Sequence, residues 1–336
     1  MKYRTGFILL LVTVLIMMAA CSNSASSKDE KAEGTGKAAG PLAGQPVTIL
    51  TGGTSGIYFQ LGNALAKIYG EELGAQTSAQ TTGASAENTA KLSRKKAELG
   101  FAMADTVTDA YLGEGNFAKA GALSNVRAVA SLYPNYMQIV APKKLGIKTL
   151  KDLKGKDLAV GALGSGTEIM AKRILEEAGI TYDDVNADFL SFSEGIEGIK
   201  NGTTDVAFLS SGYPNSGIME LAATDEVEII PVPKKITESL QKKYPAFEIG
   251  SIPANTYKGV KKDRETVKVN NLLITHKDLP DEEVYLLTKT LFESLDQLQN
   301  AHSSAKHIEL EKAAEKLPLP LHPGAERYFK EQGVLQ

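Results

Sequence analysis

One cysteine, no tryptophan and four histidines stand in a chain of 336 residues. A lone thiol at Cys21 makes no internal disulfide, so no disulfide framework is available. Without Trp, and with no aromatic ladder in sight, the chain offers no platform for stacking bases. Net charge is −3, from 37 basic against 40 acidic residues. No basic excess marks a nucleic-acid partner, and none is expected. His302 and His307 are five apart, so they share no helix face as an HExxH pair would. With no free Cys as a ligand, neither a metal nor a cofactor is expected. No GxSxG elbow frames a serine nucleophile. The longest apolar run, Phe7 to Met18, is 12 residues, too short to cross a bilayer.

What is present is the composition of a folded protein, 43% apolar and 23% charged. Its length is comfortable for two cores. Lys2 and Arg4 precede the apolar run, and Met18-Ala-Ala-Cys21 follows it. That order reads as a lipoprotein signal peptide over residues 1–20, with Cys21 as the lipid-modified residue. Removing it leaves 35 basic against 40 acidic residues, or −5. Residues 21–45 are rich in Ser, Gly, Ala and Lys and have no apolar period, as a flexible tether does. Such a tether spans roughly 25–30 Å. The expectation is an extracytoplasmic protein, lipid-anchored to the outer face of the cell membrane.

The folded part opens with Val47-Thr-Ile-Leu50, a β-branched run. The polar turn Thr51-Gly-Gly-Thr-Ser-Gly56 follows, and then Leu61, Leu65, Ile68 and Tyr69 recur at helical spacing. This is strand, glycine turn, helix. Backbone N–H groups of the helix's first turn lack internal partners and carry partial positive charge. Thr54, Ser55 and Gly56 let a small anion approach them. An echo starts at Leu158: a strand, the turn Gly161-Ala-Leu-Gly-Ser-Gly166, then a helix. The two Ser-Gly pairs are 110 residues apart. Neither turn is a nucleotide fingerprint, because GxxxxGK[ST] and GxGxxG are both absent. Two such units point to one ligand held between two α/β jaws, with Ser165, Gly166 and Thr167 supplying the second.

Further polar turns follow other strands. After Gln76–Gln80, Ser85 is placed as a helix N-cap, and Asn88 either reaches a ligand or stays solvated. Asp105 ends the run from Glu98 and either faces the ligand crevice or caps the next helix. Val126–Tyr133 and Tyr136–Ala141 read as two strands separated by Pro134-Asn135. Gly212-Tyr-Pro214 follows the strand Asp205–Leu209, and Tyr213 either meets a ligand or packs at the loop. Val284, Leu287, Leu291, Leu295 and Leu298 mark one long helix from Asp281 to about His302. The chain is thus divided into domain 1 (46–141 and 254–336) and domain 2 (142–253), with a hinge at the two crossings. The four histidines are placed at the surface.

Thr51-Gly-Gly-Thr-Ser-Gly-Ile-Tyr58, Gly161-Ala-Leu-Gly-Ser-Gly-Thr-Glu-Ile169, Asn201-Gly-Thr-Thr-Asp-Val-Ala-Phe208, Gly212-Tyr-Pro214 and Ile252-Pro-Ala-Asn-Thr-Tyr257 occur in this order. In that order the chain resembles the TAXI branch of TRAP-transporter solute receptors over nearly all of residues 46–336. The resemblance implies a type II periplasmic-binding-protein fold, two α/β domains joined by a hinge with the ligand cleft between them. It also implies a monomer that delivers a small organic anion, of the glutamate, dicarboxylate or oxo-acid class, to TRAP permease subunits. Tyr58, Asp105, Ser165, Gly166 and Thr167 match the family's pattern. Met103 and Ala104 stand where the family often has Gln and Ser, and Leu163 and Met170 also depart, which implies a less polar pocket. The alternatives are a binding lipoprotein of an ATP-driven importer and a secreted hydrolase using Ser165.

An anion can be held without a buried cation. Four charge-assisted hydrogen bonds at about 1.5–3 kcal/mol each give roughly 6–12 kcal/mol. Association costs at least about 4 kcal/mol, and micromolar binding needs about 8.

Overall fold

The computed structural model describes residues 40–336. The expected signal peptide, Cys21 and most of the tether lie outside the described residues. In chain order β1 (Pro46–Leu50), α1 (Ile57–Leu73), β2 (Gln76–Gln80), α2 (Ser85–Ser93), β3 (Leu99–Met103) and α3 (Ala104–Leu112) alternate strand and helix. The long β4 (Val126–Pro142) leads to β5 (Asp157–Ala159), α4 (Gly166–Glu177), β6 (Asn186–Asp188), α5 (Phe192–Asn201), β7 (Val206–Ser211) and α6 (Ser216–Thr224). After β8 (Val227–Ile230), α7 (Lys234–Lys243), β9 (Phe247–Ile252) and β10 (Arg264–His276), the chain closes with α8 (Asp281–Glu293), α9 (Leu295–Ala301) and α10 (Pro323–Glu331).

The strands form one mixed sheet in the order β2-β1-β3-β10-β4-β7-β5-β6, with β8 added on β4 and β9 on β10. β1, β2 and β3 run parallel, as do β5, β6 and β7. β10 and β4 are antiparallel to their neighbours and run down the middle. The first part of β4 pairs with β10 and its last part with β7 and β8.

The apolar stripe of α1 is buried as its spacing requires, and α1 ends at Gly74 in the left-handed conformation that glycine adopts without penalty. Leu61, Leu65 and Ile68 share a core with Leu287 and Leu291 of α8 and Phe329 of α10. Each fully buried Leu contributes roughly 1.5–3 kcal/mol. A second core runs through β3, β4, β5 and α4, with Met103, Ile139, Leu158 and Ile174. Among the described residues no helix is long and apolar enough to cross a membrane.

Two expected boundaries differ. Pro134-Asn135 does not divide β4, which runs unbroken through it. Pro134 falls where β4 has β10 on one side only, since pairing with β7 begins at Tyr136, and β10 carries a register shift there. A residue lacking an N–H is tolerated at such a place. The long C-terminal helix breaks at Ser294, which leaves helical geometry (φ −114°) while its carbonyl accepts from Gln297 and Leu298. The apolar period continues across the break, so it does not report it.

Candidate ligand-binding cleft

Parallel strands place the turns that follow them at the C-terminal end of their set. Because β1–β3 and β5–β7 run in opposite directions along β4, the two sets of turns meet midway, β7 ending opposite Tyr136 and β3 ending at Asn271 of β10. Here α1, α2, α4 and α5 all begin on the wall of one cavity of about 100 Å³. Gly52–Gly53 and Ser55–Tyr58 line it from the β1–α1 turn, and Thr82–Ser85 from the start of α2. Ser165–Thr167 face them from α4, and Ser191–Phe192 from α5. Among the described residues that line it, none is Lys, Arg, His, Asp or Glu.

The four helix starts are not equivalent. Ser165 caps α4, its hydroxyl accepting from the Glu168 N–H at 3.1 Å. Ser191 and Glu194 cap α5 reciprocally. α1 and α2 follow Gly56 and Ala84 and have no side-chain cap. Their first residues line the cavity with no side-chain cap and with the positive end of each helix dipole behind them. In the turn before α2, however, the Gly83 N–H donates to Glu87 at 2.6 Å and the Ala84 N–H to Thr82 at 3.0 Å.

Behind this wall Asn271 of β10, fully buried, organises the aromatic groups. Its carbonyl oxygen accepts from the Tyr58 hydroxyl and from Asn135 Nδ2 at 3.0 Å. Its amide donates to the Tyr133 carbonyl at 2.8 Å. Tyr58 stacks on Phe101 with centroids 5.1 Å apart. The Tyr133 hydroxyl is buried and has no partner among the described residues. Burial raises both phenols well above their ordinary range, so each remains a protonated donor.

The two sides are in contact across the cavity. Ser210 Oγ lies 3.3 Å from Met103 Sδ and Ser55 reaches Ser193 at 3.5 Å, while Thr167 and Ser210 share a hydrogen bond of 2.6 Å within one side. Gly166 fits only because it has no side chain. A Cβ there would stand 2.6 Å from Met103 Sδ and 2.7 Å from Ser85 Oγ.

Of the residues singled out in the sequence, Ser55, Gly56, Tyr58, Ser165, Gly166 and Thr167 line the cavity. Thr54 is exposed on the turn. Asn88 is buried behind the wall, its amide donating to the Thr51 and Phe101 carbonyls and its oxygen accepting from Thr82. Gly212 lies beside the lining residue Ser211, and its carbonyl accepts from Gln138. Tyr213 packs edge-on against Tyr136, centroids 4.7 Å apart, and does not line the cavity. Ser85 is not an N-cap: it is the first residue of α2, and its hydroxyl accepts the Met103 N–H at 3.1 Å.

Asp105 does not end a strand; it sits in the first turn of α3 with its side chain fully buried. Arg173 of α4 donates to it at 2.8 Å and to Asp109 at 2.5 Å. The guanidinium also lies 3.8 Å over the Tyr244 ring. α3 and α4 follow strands separated by β10, β4 and β7, so this ion pair bridges the middle of the sheet. Burial pushes Asp105 up to about 6, offset only in part by Arg173. Asp109 is raised for the same reason, and the two carboxylates hold Arg173 charged.

The placement of all four histidines at the surface is corrected. His276 and His322 are buried, His302 is half-buried and only His307 is exposed. His322 and His302 act as helix N-caps through Nδ1, accepting from Gly324 and Ser304. Capping needs a short acceptor near a helix start, which imidazole supplies from inside the fold.

The glycine turn expected from Thr51 to Gly56 also brings Gly52 and Gly53 to the wall, whereas sequence reasoning missed Tyr133, Asn135, Ser191, Ser210 and Ser211 as lining residues. Ser191-Phe-Ser-Glu194 carries the S-x-x-E spacing of a capping box and was legible. Asn270-Asn271 inside an apolar strand was a second signal, since a buried amide demands partners.

A family profile described as the NMT1-like family matches residues 49–333. Among solved structures, PhnD1 from Prochlorococcus marinus (MIT 9301) in complex with methylphosphonate is 14% identical with a TM-score of 0.54, over 87% of this chain and 99% of that one. A protein of Bordetella bronchiseptica RB50 is 18% identical with a TM-score of 0.52, over 86% and 81%. A structure described as a periplasmic transporter is 12% identical with a TM-score of 0.52, over 86% and 93%. The fold is the type II periplasmic-binding-protein fold.

Proposed function

Because the chain belongs to the NMT1-like family, we propose that it is a non-catalytic extracytoplasmic solute receptor. It closes on a small organic anion and delivers it to a membrane importer. The observation that carries this is the convergence of four helix N-termini, two of them without a side-chain cap, on a cavity lined by no Lys, Arg, His, Asp or Glu among the described residues. Such a wall neutralises a guest's negative charge with fixed amides and needs no cation.

The two lobes are residues 46–141 with 254–336, and residues 142–253. The long strands β4 and β10 run between them and act as the hinge, and closure brings Gly166 against Met103 and Ser85. A lipid on Cys21 tethers the receptor to the outer face of the membrane. Ser165 is a cap and a binding residue, its hydroxyl accepting from the Glu168 N–H, which argues against a nucleophile.

An ATP-driven importer agrees better with the comparisons than an ion-driven one. The TRAP permease is the second reading, favoured by the order of the five motifs from Thr51 to Tyr257. Uptake that survives an ionophore but fails on ATP depletion supports the first; the reverse supports the second.

The receptor reading is tested by thermal shift of the full chain against monocarboxylates, oxo-acids, dicarboxylates and amino acids. A bound ligand at 100 times its Kd stabilises by about 2.7 kcal/mol. No shift with any of them, together with hydrolysis that is lost in Ser165→Ala, would defeat the proposal.

A further inference from the structure

The cavity's own chemistry narrows the ligand further, on the premise that the chain is an anion receptor. Glutamate and succinate are each poorly matched. An ammonium group needs a carboxylate or a set of carbonyls, and no Asp or Glu lines the cavity among the described residues. Asp105, the acid nearest in sequence to the lining residue Met103, is committed to Arg173. A second carboxylate needs its own donors, yet two of the four helix starts are already capped by Ser165 and Ser191. The uncapped starts of α1 and α2 come from turns that pack against one another, since Gly52 approaches Ala84. They therefore form one anion subsite and not two.

Tyr133 lines the cavity, and its buried hydroxyl has no partner among the described residues, which makes it an independent candidate donor. A donor left unsatisfied in the interior costs about 1–3 kcal/mol, and an acceptor on a ligand relieves that cost. Asn271 holds the backbone of Tyr133 and the hydroxyl of Tyr58, so the donor is fixed in place. The rest of the wall is apolar: Ile57, Ala84, Met103, Ala162 and Phe192.

Size sets the last limit. A cavity of roughly 150 Å³ accommodates benzene, with its six carbons. The 100 Å³ here corresponds to roughly four non-hydrogen atoms on that scale, nearer to the five of propionate than to the eight of succinate or ten of glutamate.

We infer that the ligand is a short-chain monocarboxylate, its single carboxylate held by the amides of α1 and α2 and by the Tyr133 hydroxyl, its apolar tail against Met103 and Phe192. The departure of Met103 from a polar residue then has a role. It closes the tail end of the cavity to a second charged or polar group.

Isothermal titration of the full chain with propionate, butyrate, succinate, glutamate and methylphosphonate tests this. Propionate or butyrate is expected to bind at least tenfold more tightly than succinate or glutamate. Tyr133→Phe is expected to weaken that binding roughly ten- to a hundredfold, the range for a hydrogen bond to a charged group, while raising the ligand-free Tm, since an unsatisfied buried donor is removed. Met103→Gln, which needs no loss of fold, is expected to weaken butyrate binding and narrow the gap to succinate. Tighter binding of glutamate, succinate or methylphosphonate overturns the monocarboxylate assignment and leaves the receptor reading standing. Silence from all five, with no thermal shift from the wider panel, overturns both. Undiminished propionate or butyrate binding by Tyr133→Phe overturns the role of the hydroxyl and the inference with it.

Discussion

Replacing Arg173 with Met removes the cation that pairs with Asp105 and Asp109 and bridges α3 and α4. Side-chain exposure is 8% for Arg173, 0% for Asp105 and 7% for Asp109, so the change leaves two carboxylates buried and unpaired. Breaking a buried pair in this way typically costs about 3–5 kcal/mol, because the partner charge is left uncompensated. The packing of the guanidinium over Tyr244 is lost as well. Unfolding entropy near 60 °C is about 2.1 cal/mol/K per residue, so 297 described residues give roughly 0.6 kcal/mol/K. The expected fall in Tm at pH 8 is then about 5–8 °C. The loss has a pH signature. Once Arg173 is gone both carboxylates are still harder to ionise in the folded state, and a raised folded pKa costs stability only where the unfolded chain has given up its proton. The difference from the unmodified protein should therefore shrink steadily as pH falls from 8 towards 4.5. Calorimetry at four or five pH values decides the matter. A Tm deficit below about 2 °C at pH 8, or one equally large at pH 4.5, would refute the view that Arg173 acts by compensating buried charge.

Asp105→Asn removes one titrating group. Asp105 sits at about 6 against an ordinary 3.8, so its contribution is full below pH 4 and is lost as pH rises through 6, a span of about 3 kcal/mol. Urea unfolding of the variant should accordingly show a flatter pH profile between 4 and 7; an unchanged profile would place the titration elsewhere. Gly166→Ala puts a methyl group against Met103 and Ser85 and should oppose closure. Ligand affinity is expected to fall at least about tenfold, or 1.4 kcal/mol, by titration calorimetry, and unaltered affinity would mean that closure does not require that contact. Cys21→Ser should move the protein from the membrane fraction to the medium, and retention on immunoblots of the membrane fraction would count against a lipid anchor.

The chain's local chemistry was enough to place β1 with α1 and β5 with α4, because β-branched runs, glycine turns and helical spacing are properties of neighbouring residues. It was also enough to single out Ser55, Gly56, Tyr58, Ser165, Gly166 and Thr167, which share one cavity. Their physics is that of a helix start, written within a few residues. Tertiary structure alone decided the partners. Asp105 lies 68 residues from Arg173, and nothing near Asp105 announces a cation on another helix. Tyr133 and Asn271 are 138 residues apart and meet only because β4 and β10 pair down the middle of the sheet. His276 and His322 are buried for a like reason, since burial depends on which elements pack over a residue. Periodicity and capping act over one turn of chain; the pairing of buried charges and amides is settled by which distant segments the cores bring together.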